Sequence, residues 1–305
     1  MPGASSGAPS SEHQAPSAAL FPRKIYDLPL PEAGVLRLGL RTLVMGILNV
    51  TPDSFADGGR FFDPDRAVAA ACSMERDGAD IIDIGGESTR PGAQVLTAEQ
   101  ELERVLPVIR GVAGLVRVPL SIDTYKAEVA RVALAEGVSM VNDVSGLRYD
   151  PSLAQIVAAA GAALVLMHTR GRPRDMYREA IYHDVAGEIT HEIGDSISAA
   201  VAAGVSRDRL IIDPGIGFGK RPEHSYQALV ALPAFAALDR PILIGPSRKS
   251  FLQAALGERS PDARKWGTAA AVAASVLHGA HIVRVHDVPE MVDVVRVADR
   301  IRSAA

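Results

Sequence analysis

Eight apolar runs, each ending in polar or glycine-rich residues and each followed by a helical pattern, recur along this chain of 305 residues. They are Leu43–Val50, Asp80–Gly85, Pro119–Asp123, Ser139–Asp143, Ala162–His168, Leu210–Asp213, Pro241–Ser247 and His281–Asp287. Strands rich in Val, Ile and Leu that alternate with helices read as a parallel sheet covered by helices, because a strand buried on both faces has no polar alternation. Eight such units are the number that closes a single (β/α)8 TIM barrel, an α/β fold. In that fold the carboxyl ends of all strands converge on one mouth, where barrel enzymes carry out chemistry. Asn49, Glu87, Thr89, Arg90, Asp123, Asn142, His168, Asp213, Ser247, Lys249, Arg284 and His286 all fall at or just beyond such an end. Side chains far apart in sequence are thereby predicted to form one site.

Bulk properties remove several function classes. At 48% hydrophobic residues the chain can bury one large core, and no stretch approaches the roughly 18 uninterrupted apolar residues of a membrane span. A formal charge of −4 argues against a nucleic-acid surface, which would be basic. The lone Cys72 excludes an internal disulfide and a multi-cysteine metal site; it sits in an alanine-rich helical pattern and reads as a small filler. The chain reads as cytoplasmic. Residues 1–20 are mostly Pro, Ser, Ala and Gly, cannot offset their ordering entropy by burial, and are expected to be a disordered tail. They lack the basic start and apolar centre of a secretory signal. Residues 21–41 are expected to form a short N-terminal β-hairpin, with Ile25–Leu28 and Val35–Leu40 around a Pro-Glu-Ala-Gly turn, plugging the bottom of the barrel. Residues 42–302 are assigned to the barrel itself.

Two long loops follow the first two strands, at 49–59 and 85–92, and their glycines, hydroxyls and arginine suit lids over a pocket. Asp63 before Pro64 is the expected N-cap of the first helix, and Thr97 opens a capping-box pattern for the second. Asp123 and Asn142 emerge from β-branched runs with no charge partner nearby in sequence. A carboxylate so placed must be hydrogen-bonded or shift its pKa, unless Asp123 merely caps the helix opening at Thr124–Lys126; for Asn142, Asp143 and Ser145 are better placed to cap. The stretch Asp213–Lys220 is not a phosphate-binding P-loop, because the glycine spacing fails and Arg221 stands where Ser or Thr would hold magnesium. Nor does it carry the dinucleotide fingerprint. Its glycines let the backbone turn sharply and approach a flat ligand, with Phe218 as a pocket wall.

Ser247, Arg248, Lys249, Arg284 and His286 supply positive charge and donors after strands seven and eight, where barrels often bind phosphate. For Arg248 a salt-bridged structural role fits equally well. His168 is assigned no chemistry, since a lone histidine at a strand end usually serves packing. The alanine-rich segment Lys265–His278 suits close helix packing, in the barrel wall or at a subunit interface. Two carboxylates (Asp123, Asp213), one amide (Asn142), one ammonium (Lys249) and one guanidinium (Arg284) match a flat heterocycle with adjacent N–H donors and a carbonyl. A pterin has that edge, and a guanidinium can stack on its face.

The motifs resemble those of the dihydropteroate synthase family. They are Asn-Val-Thr-Pro-Asp-Ser-Phe at 49–55, Asp-Ile-Gly-Gly-Glu-Ser-Thr-Arg-Pro-Gly at 83–92, Ser-Ile-Asp-Thr at 121–124, Val-Asn-Asp at 141–143, Leu-Met-His at 166–168, the 213–220 stretch, Ser-Arg-Lys at 247–249 and Arg-Val-His-Asp at 284–287. The resemblance runs from about Arg41 to Arg302 and departs only at Ala56, Thr169 and the longer N-terminal tail. It implies an enzyme joining p-aminobenzoate to 6-hydroxymethyl-7,8-dihydropterin pyrophosphate, releasing pyrophosphate and 7,8-dihydropteroate for folate synthesis.

The same resemblance implies the roles. Asp123, Asn142, Met167, Asp213, Lys249 and Arg284 would bind the pterin. Asn49, Arg90, Arg284 and His286 would bind pyrophosphate, with Asn49 also a ligand of Mg2+. Phe55, Thr89, Arg90, Pro91, Phe218, Lys249 and Ser250 would frame p-aminobenzoate, whose carboxylate would lie near the N-terminus of the seventh helix. Asp123, Lys249, Arg284 and Asn49 would carry the catalysis. Sulfonamides, as p-aminobenzoate mimics, are expected inhibitors, and a homodimer through the C-terminal helices is the expected assembly. Pterin-binding barrels of corrinoid-dependent methyltransferases share the equivalents of Asp123, Asn142 and Asp213, but are not expected to combine them with Ser-Thr-Arg-Pro-Gly, Ser-Arg-Lys and Arg-Val-His. A pterin binder without turnover is the other alternative.

Overall fold

A computed structural model describes residues 21–31, 34–51, 63–88, 95–172, 178 and 180–304. The expected tail at 1–20 and most of the two lid loops lie outside the described residues. All eight predicted runs form parallel strands: β3 (Leu43–Asn49), β4 (Ile81–Gly85), β5 (Leu120–Asp123), β6 (Met140–Asp143), β7 (Ala163–Met167), β8 (Leu210–Asp213), β9 (Leu243–Ile244) and β10 (Ile282–Val285). Their spatial order is β8-β7-β6-β5-β4-β3-β10-β9. The two ends close on each other, since Ile212 bridges Ile242 and its N–H donates to the Pro241 carbonyl at 2.9 Å. The sheet is therefore a barrel. β9 is cut to two residues between Pro241 and Pro246, neither of which has an N–H to extend the ladder.

Around the sheet run α1 (Pro64–Arg76), α2 (Ala98–Val112), α3 (Ala127–Ala135), α4 (Leu153–Ala160), α5 (Val185–Ala202), α6 (Pro222–Val230), α7 (Leu232–Phe235), α8 (Gln253–Leu256), α9 (Lys265–Leu277) and α10 (Val288–Ser303). The caps are those expected. The Asp63 side chain accepts from the amides of Asp65 and Arg66, and Thr97 forms a reciprocal box with Gln100. The helix that follows β9 is short. After Lys249 the chain makes one 3-10 turn, Ser250–Leu252, and the single-turn α8, stops at Gly257 (φ +73°), and begins the long α9 only at Lys265. Glycine at positive φ and Pro261 separate this short element from α9.

The N-terminal hairpin pairs β1 (Tyr26–Leu30) with β2 (Gly34–Leu38), so both strands are displaced by a residue or two from the expected spans. Its Leu28, Leu30 and Leu38 pack with Leu43, Met45, Ile81, Met140, Ala163, Val165, Ile211, Leu243 and Ile282, which line the lower barrel. This apolar floor fixes what lies above it. Strand side chains repeat every second residue, so two residues beyond Ile81, Met140, Ile211 and Ile282 the same inner face carries Asp83, Asn142, Asp213 and Arg284. The alternate residues, Ile82, Ile84, Ile122, Val141, Leu164 and Ile212 among them, face outward and join a core with the helices. Among the described residues no helix is long and apolar enough to cross a membrane.

Candidate active site

Arg284 organises the mouth. Its Nε donates to Asp83 Oδ2 at 2.5 Å and its Nη2 to Asp123 Oδ2 at 2.6 Å, while Asn142 Nδ2 donates to the same Asp83 oxygen at 2.9 Å. All four groups are buried or nearly so, which makes these charge-assisted bonds strong and their loss expensive. Asp123 thus finds its charge partner from another strand and does not cap the helix that follows it. The second oxygens, Asp83 Oδ1 and Asp123 Oδ1, are buried and have no hydrogen-bond partner among the described residues. Such acceptors suit a ligand that brings N–H donors. Burial pushes the Asp123 carboxyl up to about 7; Arg284 opposes the shift and Asp83 adds to it. Asp213 Oδ1 accepts from the Gly215 amide at 2.7 Å, and burial raises this carboxyl to about 6.

Opposite lies the wall formed by the 213–220 turn. Lys249 Nζ sits 3.6 Å from the centroid of the Phe218 ring, a cation–π contact. Phe218 also packs with Tyr125, Val144, Met167 and Tyr149 in a small apolar cluster at the mouth. The turn needs its glycines. Gly215 has φ +70°, and a Cβ there would come 1.9 Å from the His168 carbonyl oxygen. Residues bearing a side chain are excluded by backbone, not by a movable neighbour.

A third cluster joins three strands. Ser247 Oγ lies 2.9 Å from His286 Nδ1 and accepts from the His286 amide at 3.2 Å, and Asn49 Nδ2 lies 3.4 Å from His286 Nε2. Burial and the cations Arg248, Arg284 and Lys249 pull the His286 imidazole down to about 3, so it stays neutral near pH 7. Arg248 takes the structural alternative. Its Nε and Nη2 grip Asp287 at 3.1 and 2.8 Å, a third nitrogen meets Asp262, and its backbone, at φ +59°, is held by Thr268 and Arg264. Ser250 opens the 3-10 turn just beyond Lys249.

The structure therefore brings Asn49, Asp123, Asn142, Met167, Asp213, Phe218, Lys249, Ser250, Arg284 and His286 to one end of the barrel. Phe55, Thr89, Arg90 and Pro91 lie outside the described residues. Glu87, at the base of that second loop, accepts from Tyr125 Oη at 2.8 Å, Lys126 Nζ at 2.6 Å and the Leu96 amide at 2.9 Å, tying the two ends of the loop together. Two groups escaped the sequence reading. Asp83 sits inside a run that reads as apolar, and only its inward position two residues after Ile81 betrays it. Lys220, almost fully buried, contacts His168 under the turn.

Among the described residues no three His, Cys, Asp or Glu side chains are grouped to hold a metal. The Asn49 amide beside His286 carries one hard oxygen donor. That donor set fits Mg2+, which keeps few protein ligands and is typically shared with substrate phosphates.

A sequence model of the family described as "Pterin binding enzyme" matches residues 45–286. Dihydropteroate synthase from Synechocystis sp. is 45% identical over 275 residues, covering 90% of this chain and 95% of the relative. The fold matches Xanthomonas albilineans dihydropteroate synthase with 4-aminobenzoic acid, at TM-score 0.85 and 41% identity over 92% of this chain and 99% of that one. It also matches Yersinia pestis dihydropteroate synthase in complex with a sulfonamide drug, at TM-score 0.84 and 40% identity over 91% and 99%.

Proposed function

From the premise that the chain belongs to the dihydropteroate synthase family of pterin-binding enzymes, we propose how its barrel mouth works. The enzyme is a transferase of folate synthesis that joins 6-hydroxymethyl-7,8-dihydropterin pyrophosphate to p-aminobenzoate, giving 7,8-dihydropteroate and pyrophosphate. The observation that carries the assignment of roles is the buried set of acceptors Asp123, Asn142 and Asp213 beside Lys249 and Arg284. Asp213 and Asn142 accept and donate along the pterin edge, Lys249 meets its carbonyl, Met167 lines the pocket, and Arg284 lies against the ring. Asn49, Arg90, Arg284 and His286 receive the pyrophosphate, to which a neutral His286 can contribute hydrogen bonds. Phe55, Thr89, Arg90, Pro91, Phe218, Lys249 and Ser250 frame p-aminobenzoate.

Mg2+ held by the Asn49 amide and the pyrophosphate oxygens would offset the charge of the leaving group. The bond between the pterin methylene carbon and the pyrophosphate oxygen breaks first, its electron pair leaving with the oxygen. The resulting cation is delocalised into the ring, and the Asp123 carboxylate stabilises it electrostatically. The lone pair of the aniline nitrogen then forms the new C–N bond, and the arylammonium so produced is acidic enough to lose its proton to water. A neutral arylamine is already nucleophilic, so no strong general base is required. The pterin substrate binds first, because its pyrophosphate completes the anion end against which the aromatic acid is seated.

Competition by sulfonamides at the p-aminobenzoate position follows from the same arrangement, and the Yersinia pestis relative was solved with such a drug. Trp266, Val297 and Ile301 are well exposed on α9 and α10, which supports a homodimer through the C-terminal helices. The lone cysteine, with no second thiol to bridge, suits a reducing compartment, and a cytoplasmic location is part of the proposal. Calorimetric titration of p-aminobenzoate tests the binding order. Tight binding is expected only after pterin, pyrophosphate and Mg2+ are supplied; equal affinity for the protein alone would contradict it.

A further inference from the structure

Lys220 is a lysine with 1% of its surface exposed, beneath the site and without substrate access. Buried lysines are rare and need partners that justify them. Its Nζ donates to the Phe218 carbonyl at 3.1 Å, lies 2.8 Å from His168 Nδ1, and reaches the His168 carbonyl at 3.5 Å. Because Nζ brings the protons, His168 Nδ1 accepts, and the imidazole Nε2–H is left to donate to Glu192 Oε2 at 3.2 Å. Burial and the Lys220 charge hold that imidazole neutral, with its pKa near 3. Glu192, on α5, is in turn gripped by Arg148 at 2.7 Å and by Arg170 Nε at 2.9 Å. The Arg170 guanidinium lies 4.1 Å over the Tyr182 ring, and Tyr182 Oη donates to the Gly219 carbonyl at 2.8 Å. Consecutive carbonyls of the turn, those of residues 218 and 219, are thus fastened to one charged network anchored on α5.

The turn requires such fastening. Gly215, Gly217 and Gly219 all have positive φ, so three of its residues lose more backbone freedom on ordering than any others could. What the turn presents is the Phe218 ring, set against the Lys249 ammonium.

We propose that Lys220 is a positioning residue for the p-aminobenzoate side of the site: through the Phe218 carbonyl and His168 it fixes the three-glycine turn that holds the Phe218 ring against Lys249. The proposal rests on the reading of Phe218 and Lys249 as the p-aminobenzoate wall. Asp213 lies at the end of β8, before the turn, where the sheet holds its backbone: it pairs with Met167 of β7, and its carbonyl accepts from the His168 amide at 2.8 Å. Pterin binding is therefore spared relative to p-aminobenzoate binding.

The test is Lys220→Met, which keeps the length of the stem and removes the donors, read by steady-state kinetics and by hydrogen exchange of the 215–219 amides. Burial lowers the pKa of the Lys220 ammonium to about 7, so its donors are counted as ordinary hydrogen bonds. KM for p-aminobenzoate is expected to rise about tenfold, the equivalent of one lost hydrogen bond, with KM for the pterin substrate within about twofold and faster exchange in the turn. Tyr182→Phe, a half-buried and milder change that frees the Gly219 carbonyl, is expected to move the same KM in the same direction and carries the test if Lys220→Met does not fold. A purely structural lysine would lower the melting temperature and the active fraction while leaving both KM values and the exchange in the turn unchanged; that result, or equal rises in both KM values, overturns the proposal. Wild-type turnover indifferent to p-aminobenzoate would instead overturn the reading of the wall, and the exchange measurement would still decide whether Lys220 holds the turn.

Discussion

Asp83→Asn isolates the contribution of a carboxylate that touches two site residues. In the wild type one oxygen of Asp83 receives both Arg284 Nε at 2.5 Å and Asn142 Nδ2 at 2.9 Å. An asparagine oxygen in the same place can still accept both bonds, and its amide occupies the position of an oxygen that has no partner among the described residues. What disappears is charge. The Arg284 bond stays charge-assisted because the guanidinium stays ionised, whereas the Asn142 bond falls from the about 1.5–3 kcal/mol of a bond to a charged group to the about 0.5–1.5 of a neutral one. With the ion pair to Arg284 lost as well, the cost is roughly 1–2 kcal/mol. Arg284 keeps Asp123 at 2.6 Å, which spares it the about 3–5 kcal/mol that an uncompensated buried charge would cost. A loss of about 2 kcal/mol in a chain of this length lowers the melting temperature by about 3 °C, since the unfolding entropy is about 2.1 cal/mol/K per residue.

The same substitution removes a negative neighbour that raises the Asp123 pKa, so the acid limb of the rate profile is expected to move to lower pH. KM for the pterin substrate should rise about tenfold as Arg284 and Asn142 lose their common anchor. Scanning calorimetry and initial rates from pH 5 to 8 give all three readouts. An unchanged melting temperature, KM and acid limb would refute the reasoning, leaving Arg284 held by Asp123 alone.

Three further outcomes follow from the geometry. Asp123 and Asp213 titrate near 7 and 6 in the folded protein, above the ordinary carboxyl value, so their contribution to stability is fully present below about pH 4 and is lost as pH rises through 6–7. The melting temperature of the substrate-free enzyme relative to that of Asp123→Asn should therefore fall between pH 5 and 8, while kcat/KM for the pterin substrate rises over the same range because binding needs the carboxylates; a flat difference and a flat profile would contradict this. Gly215→Ala places a methyl group 1.9 Å from a backbone oxygen at φ +70°, and should cost more than about 3 kcal/mol or abolish folding, checked by denaturant unfolding; native stability would contradict the turn geometry. Chelation of Mg2+ should weaken binding of the pterin pyrophosphate while leaving binding of the pterin without pyrophosphate unaltered, as calorimetry can show; equal loss for both ligands would contradict a metal acting at the anion end.

The strands and caps were legible because local pattern determines them. Apolar runs of the right length located β3 to β8 and β10, and side-chain chemistry at Asp63 and Thr97 located two helix starts. β9 is shorter than its run because prolines at 241 and 246 cannot donate, a property that hydrophobicity alone does not register. The gap between α8 and α9 turns on Gly257 and Pro261, and the segment expected to pack as a helix, Lys265–His278, is where α9 runs.

Long-range pairings were harder. Asp123 acquires its cation from Arg284, 161 positions away, and Lys220 its acceptor from His168, 52 positions away. No local pattern encodes such separations. Asp83 was concealed for a different reason: a charged residue within a strand looks like an interruption until the register shows that it faces the same interior as Ile81. His168, with no chemistry assigned from sequence, has a definite task as the neutral link between Lys220 and Glu192.

The central claim is that this barrel mouth makes dihydropteroate. Pyrophosphate release from 6-hydroxymethyl-7,8-dihydropterin pyrophosphate with Mg2+, measured with and without p-aminobenzoate and alongside dihydropteroate formation, tests it most directly. The account predicts one dihydropteroate per pyrophosphate released in the presence of p-aminobenzoate, with loss of both in Lys249→Ala. Binding of the pterin without any dihydropteroate would contradict it and leave a pterin-binding barrel that does not turn over.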